Sequence, residues 1–194
     1  MKKFWVLILI FCGVLMLAAN DETAVAEAVK DFRVAQLTFD FNKLLQLCSP
    51  EYVQVNVDGS QRSYADLQRM AQAMANIEGS DDLEVIVENY WAISGRTLND
   101  EQRELIRQAK DTEFGRNLAA EYKGAIIAVK ASYARAAYGR DNWSVTVTLN
   151  GDEAEAVLSV PATSGGSVYR TKYKMKKVDG KWLVVRNEHL GAGR

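Results

Sequence analysis

The feature that most limits the fold of this chain is its last third, where alternation and turn chemistry leave little freedom. Ser144 to Leu149 alternates polar and apolar residues, Asn150-Gly151 follows as a hairpin turn, and Glu153 to Val160 returns. Pro161 to Gly166 reads as a loop. Val168 to Val178 is then a long strand with Arg170, Lys172, Lys174 and Lys176 on one face. Asp179-Gly180 turns the chain into a final strand, Trp182 to about His189. Four consecutive strands with short connections dictate an antiparallel sheet. The lysine row reads as its solvated side, since antiparallel sheets commonly expose one face.

The first half reads as helix and strand in alternation. Val25, Val29, Phe32, Gln36 and Phe39 recur at helical spacing, predicting one amphipathic helix from Asp21 to Leu47 that Ser49-Pro50 ends. Tyr52 to Val57 alternates as a strand and Asp58-Gly59 is a turn signal. Ser63 is placed to cap a helix from Tyr64 to about Ile77, with Leu67, Met70 and Met74 on its apolar face. Between Asp81 and Arg140 the texture changes. Leu83 to Ile93 suits helix or strand, because Val85-Ile86-Val87 is β-branched. Asn99-Asp100-Glu101 marks a helix start, and a long helix is predicted from about Thr112 to Tyr138. Its stripe is Leu118, Tyr122, Ile126, Val129 and Tyr133, and Gly115 and Gly124 weaken it.

Residues 1 to 19 stand apart. Lys2 and Lys3 precede an apolar run from Phe4 to Leu17, and Ala18-Ala19-Asn20 supplies small residues before a polar helix start. This is the pattern of a secretory leader. A spanning helix needs about 20 apolar residues, and this run is shorter. Cys12 follows Phe11, which is not the small residue that lipidation prefers. The expectation is an exported chain, periplasmic or extracellular, with no membrane attachment once the leader is cut and a tether if it is not. About 175 residues remain, enough for one domain with a real core.

The 24 basic and 25 acidic residues leave a net charge of −1, and without Lys2 and Lys3 it is −3. That balance argues against a general nucleic-acid binder. Past the leader the only cysteine is Cys48, so no internal disulfide can form, and it reads as a small buried hydrophobe. No cluster of metal-ligating residues, phosphate-binding glycine loop or nucleophile elbow is present, and no cofactor or metal is expected.

The order helix, two strands, helix, four antiparallel strands resembles the nuclear transport factor 2-like superfamily. The residues that carry the likeness are Asp40, Leu44, Leu47 and Ser49-Pro50-Glu51-Tyr52-Val53, then Asn150-Gly151-Asp152-Glu153-Ala154, then Val178-Asp179-Gly180-Lys181-Trp182-Leu183-Val184-Val185. The resemblance covers about Ala24 to Ile77 and Asn142 to Leu190. It implies an α+β fold, helices packed on a strongly curved antiparallel sheet that forms a cone, with about 81–140 as a helical insertion in one domain of residues 20–194. It also implies a pocket of the kind that ketosteroid isomerases, polyketide cyclases and scytalone dehydratase use. None of their catalytic motifs matches here residue by residue, and a two-histidine site is excluded by the single histidine.

The candidate residues follow from the strands. His189 titrates near neutrality and alternation places it with Leu183, Val185 and Asn187, opposite Trp182 and Val184. Asp58 and His189 are the candidate acid–base groups; Tyr52 and Tyr173 are the candidate ligand contacts. A turn-former, a rim histidine and two core aromatics are the plainer readings. Tyr90 and Trp91 in the insertion read as core or as a contact site. The leading expectation is a non-catalytic domain that binds a small apolar ligand or a protein partner. The alternatives are an isomerase, cyclase or dehydratase with acid–base residues in the cone, and a structural homodimer built on the sheet face.

Overall fold

A computed structural model describes the backbone of residues 2–137, 139–162 and 167–193, and the side chains among them apart from those of 2–19, Tyr133 and Ala136. The side chains of the expected leader, the Tyr133 side chain of the helical stripe, the helix end at Tyr138 and residues 163–166 of the expected loop lie outside the described residues. Among the described residues, no helix is long and apolar enough to cross a membrane.

The chain is α+β, as expected, and forms two compact units, one of residues 1–33, 47–63 and 139–194, the other of residues 34–46 and 64–138. The segment read as an insertion falls in the second unit, together with α2 and α3 as defined below.

The first unit holds a six-stranded sheet: β1 Cys48–Val55, β2 Gln61–Ser63, β3 Ser144–Asn150, β4 Glu153–Pro161, β5 Val168–Val178 and β6 Lys181–Gly193, in the order β2-β1-β6-β5-β4-β3. It is mixed rather than wholly antiparallel, because β1 runs parallel to β6. A parallel pair needs a long crossover, and residues 56–180 lie between these two strands. β1 begins at Cys48, four residues before the expected start, so Pro50 lies within the strand rather than beyond a helix.

Both hairpins are confirmed, and each turn has its own chemistry. In the first, Asn150 still pairs with Glu153, so the central residues are Gly151-Asp152, with positive φ only at Gly151 (62°). That is the type II′ requirement. In the second, Asp179 (49°) and Gly180 (77°) are both positive, as type I′ needs. Arg170, Lys174 and Lys176 lie on the solvent face as read, and Lys172 there reaches Glu155 at 2.9 Å. The other face carries the core: Leu158, Tyr173, Met175, Trp182 and Val184, with Val25, Val29 and Phe32 of helix α1, Lys2–Leu37.

The second unit is helical: α2 Phe41–Leu47, α3 Tyr64–Gly79, α4 Leu83–Ile93, α5 Asp100–Ala109 and α6 Glu113–Ala137. The ambiguous segment at Leu83 is helix α4, because the Asp82 side chain accepts from the Glu84 and Val85 amides and Ile86 and Val87 face a core. Asn99 begins α5 with a full capping box: its side chain accepts from the Gln102 amide at 2.8 Å, and Gln102 accepts from the Asn99 amide at 3.0 Å. Ile77, Leu83, Ile86, Val87, Leu98 and Ala119 form the core of this unit. Trp91 packs against that core, while Tyr90 stays partly exposed and stacks edge-on against Tyr122 at 5.1 Å.

The single helix expected from Asp21 to Leu47 is broken. α1 stops at Leu37 and α2 starts at Phe41. At the break the Asp40 amide donates to the Ala35 carbonyl (3.0 Å) and the Phe39 amide to Gln36 (3.4 Å). These two bonds make a Schellman stop, whose left-handed residue is usually glycine. Here it is Phe39, at φ 55°. Asp40 then caps α2 by accepting from the Lys43 amide at 2.9 Å.

Candidate functional site

The inner face of the sheet brings together more of the candidate residues than strand alternation allows. Lys174 pairs with Arg186 but the next register pair is Met175 with Val184, so β6 carries a bulge around Val185. The extra residue reverses the alternation beyond it. Asn187 and His189 therefore share the face of Trp182 and Val184, which corrects the expected placement of His189 on the opposite side. Thr171 pairs with His189 and Tyr173 with Asn187.

The polar groups on this face form two clusters. The Thr171 hydroxyl meets His189 Nδ1 at 3.1 Å. Burial, and after it the Arg33 charge, depress the His189 pKa below its ordinary 6.5, so the ring is neutral at pH 7. In the other cluster the Tyr52 hydroxyl lies 2.6 Å from Asn187 Oδ1 and 3.3 Å from Gln54 Oε1. Phe32 covers both tyrosines, 5.6 Å from the Tyr52 ring and 5.9 Å from the Tyr173 ring. Burial pushes both phenols well above their usual range. The Arg33 charge and the Thr171 hydroxyl oppose the shift at Tyr173, the latter from outside hydrogen-bond geometry. The Tyr173 hydroxyl and Asn187 Nδ2 are buried without a hydrogen-bond partner.

Asp58 lies elsewhere, on the exposed turn between β1 and β2, where it accepts from the Ser60 amide (2.9 Å) and hydroxyl (2.6 Å). These bonds hold its carboxyl below the usual range. It is nonetheless joined to the buried cluster. Gln54 Nε2 donates to Asn56 Oδ1 (2.7 Å), Asn56 Nδ2 donates to Ser60 Oγ (2.9 Å), and Ser60 donates to Asp58. Every donor points toward the carboxylate, so each bond polarises the next. Amide groups hold a fixed donor sense and pass no proton readily, so the chain orients β1 side chains rather than relaying protons. Further inward, the single Tyr52 hydroxyl proton goes to Asn187 Oδ1 at 2.6 Å, a distance that suits an O–H donor, and the 3.3 Å approach to Gln54 Oε1 is the weaker contact.

Among the described buried polar residues, Ser49, Gln54, Thr171 and Asn187, there is no carboxylate. Cys48 is buried and its thiol is pushed up to about 12, the pKa of an inert thiol rather than a nucleophile. No group of three potential metal ligands occurs among the described residues.

The second unit holds a feature that periodicity missed. Phe39 and Met74 line two adjoining cavities. One, of about 190 Å³, is apolar, with Tyr90, Ile93, Ala125, Ile126 and Val129. The other, of about 300 Å³, is polar, with Thr38, Asp40, Asn42, Glu78 and Lys130, and the last two form an ion pair at 2.7 Å. Phe39 stands in the left-handed conformation at their common wall, edge-on to Phe41 at 6.2 Å. A sequence signal for it existed: Asp40 is a favoured N-cap residue, and a helix started there leaves Phe39 outside it.

No family model matches the chain, and no curated protein matches it. Solved structures similar to it include a nuclear transport factor 2-like protein from Cytophaga hutchinsonii, at 10% identity and a TM-score of 0.43, over 88% of this chain and 97% of that one. Another, from Novosphingobium aromaticivorans, is described as nuclear transport factor 2-like with a cystatin-like fold; it is 16% identical with a TM-score of 0.41, over 92% and 86%. A de novo designed protein with a curved β-sheet is 15% identical with a TM-score of 0.38, over 89% and 99%.

Proposed function

We propose that this chain is an exported, non-catalytic binding domain whose helical unit receives one apolar side chain of a protein partner. The observation that carries this reading is Phe39. A bulky residue in left-handed backbone costs about 1–2 kcal/mol, and such strain concentrates at working sites. It is retained at the wall of an open apolar cavity, whereas Gly95 occupies the equivalent position in the Schellman stop of α4. The size of the cavity selects the occupant. At about 190 Å³ it is smaller than the roughly 300 Å³ at which ligand pockets begin, and it suits a single anchoring side chain. Val129, 42% exposed, supplies apolar surface at its wall.

The same features leave the acid–base alternative with little support. Asp58 is exposed on its turn and His189 is neutral beside Thr171. Tyr52 and Tyr173, proposed as ligand contacts, are at most 1% exposed and lie under Phe32.

The test is a titration with indole as the probe, followed by amide and methyl chemical shifts. Saturable shifts confined to Phe39, Met74, Tyr90 and Ile126 are expected, together with their loss in Val129→Arg at unchanged melting temperature. Shifts centred on Tyr52 and Tyr173 instead would return the binding site to the sheet.

A further inference from the structure

Asn20-Asp21-Glu22 repeats the tripeptide Asn99-Asp100-Glu101, which begins α5 as a true N-cap. In α1 the same tripeptide lies inside a helix that starts at Lys2. A side chain whose best use is to cap a helix is thus held where no cap is needed. Freed from residues 1–19, Asn20 would begin the helix as Asn99 does, with Asp21 and Glu22 in the first turn, where the positive end of the helix dipole favours acids.

The next residue is already tied down. Asp21 accepts from Lys177 Nζ at 2.7 Å and 2.9 Å and from Trp182 Nε1 at 3.3 Å. Lys177 and Trp182 are register partners across the β5–β6 hairpin, and the ammonium lies 5.7 Å from the indole ring centre. Four residues on, Val25 is fully buried. Asn20 itself is exposed. Tertiary anchoring of α1 is therefore established by Asp21, one residue after the small-residue boundary of the leader.

We infer that the Ala19–Asn20 peptide bond is a proteolytic processing site and that the new chain end is received by a preformed clamp, Asp21 on Lys177 and Trp182. This rests on the export part of the proposed function and not on the anchor cavity. The reaction is hydrolysis by a leader peptidase: water adds hydroxyl to the Ala19 carbonyl carbon, the C–N bond breaks, and the Asn20 nitrogen leaves as the amine with the remaining proton. Bulk water is the only co-reactant. The clamp holds the cut helix against fraying at the end where its first amides lose their partners.

The full chain, expressed in a host with a leader-dependent export route, tests this by fractionation and intact mass. An exported protein that lacks residues 1–19 and begins at Asn20 is the expected result. An exported protein that keeps Met1, or begins elsewhere, overturns the inference and leaves export standing. A chain retained uncut in the cytoplasm overturns both, while the indole titration still decides the cavity. On processed protein, Lys177→Met should speed amide exchange at residues 24–28 by roughly tenfold, the scale of a lost cap, and Lys177→Arg should restore protection. Unchanged exchange in Lys177→Met would remove the clamp from the proposal.

Discussion

At the scale of single residues, the two inner tyrosines look alike in sequence and differ in what their hydroxyls do. Tyr52 is bonded to Asn187 at 2.6 Å, while the Tyr173 hydroxyl is buried without a partner. Tyr52→Phe therefore leaves a buried amide less satisfied and should cost about 1–3 kcal/mol, whereas Tyr173→Phe removes an orphan group and should be neutral or stabilising. Denaturant midpoints of the two variants check the opposite signs. Cys48 offers a second residue-level test. With its thiol pushed up to about 12 by burial, native protein lacking residues 1–19, and with them Cys12, should resist at pH 8 a maleimide that labels the unfolded chain at once. The bland reading of Cys48 was legible from its apolar neighbours; the bonding of the tyrosines was not, because it depends on a partner 135 positions away in the chain.

At the scale of elements, legibility tracked how local the signal was. The Asn99 cap, the two β hairpins and the long strand β5 are set by residues within a few positions, and all were readable. The bulge in β6 was not: an extra residue shows only against the partner strand, and missing it put His189 on the wrong face. Likewise the apolar period from Val25 to Phe39 concealed the stop at Leu37, since periodicity records faces and not ends. Glycine in α6 shows how identical residues divide. A Cβ at Gly115 would sit 2.1 Å from the Ala109 carbonyl oxygen, while at Gly124 it would meet nothing within 4 Å. Gly115→Ala should therefore destabilise by about 1–3 kcal/mol through overpacking, and Gly124→Ala should stabilise by roughly 0.5–1 kcal/mol. Thermal melts of the two variants, measured side by side, separate these expectations.

At the scale of the whole molecule, the separation into two compact units was beyond the sequence, since both draw on non-contiguous stretches and α1 contributes to each on either side of Arg33. Its pH response, by contrast, can be built from its parts. Asp21, Asp58, Asp81 and Glu155 all have carboxyls held below their ordinary values by hydrogen bonds, from Lys177, Ser60, Lys123 and Lys172 respectively. A group depressed in the folded state stabilises above its unfolded pKa, near 3.8 for the aspartates and 4.5 for Glu155, and that contribution disappears as pH falls through the folded value. Asp58, Asp81 and Glu155 are exposed and Asp21 is half-buried, so each effect is small and screened by salt, least at Asp21. Cys48 acts at the other end. Its raised pKa leaves stability intact below the unfolded value of 9.0 and removes it as pH climbs toward 12, because only the unfolded thiol ionises there. The melting temperature should accordingly be flat from about pH 7 to 9 and fall on both sides, the acid decline starting below 6.5, where the unfolded His189 ring takes up a proton and the buried one does not. Two variants separate the arms. Cys48→Ala should delay the onset of the alkaline decline, leaving the fall above pH 10 that the buried Tyr52 and Tyr173 phenols impose, and Lys177→Met should remove part of the acid decline while leaving the alkaline side unchanged. An acid arm identical in Lys177→Met and the parent chain would show that the Asp21 contact contributes nothing to the acid response.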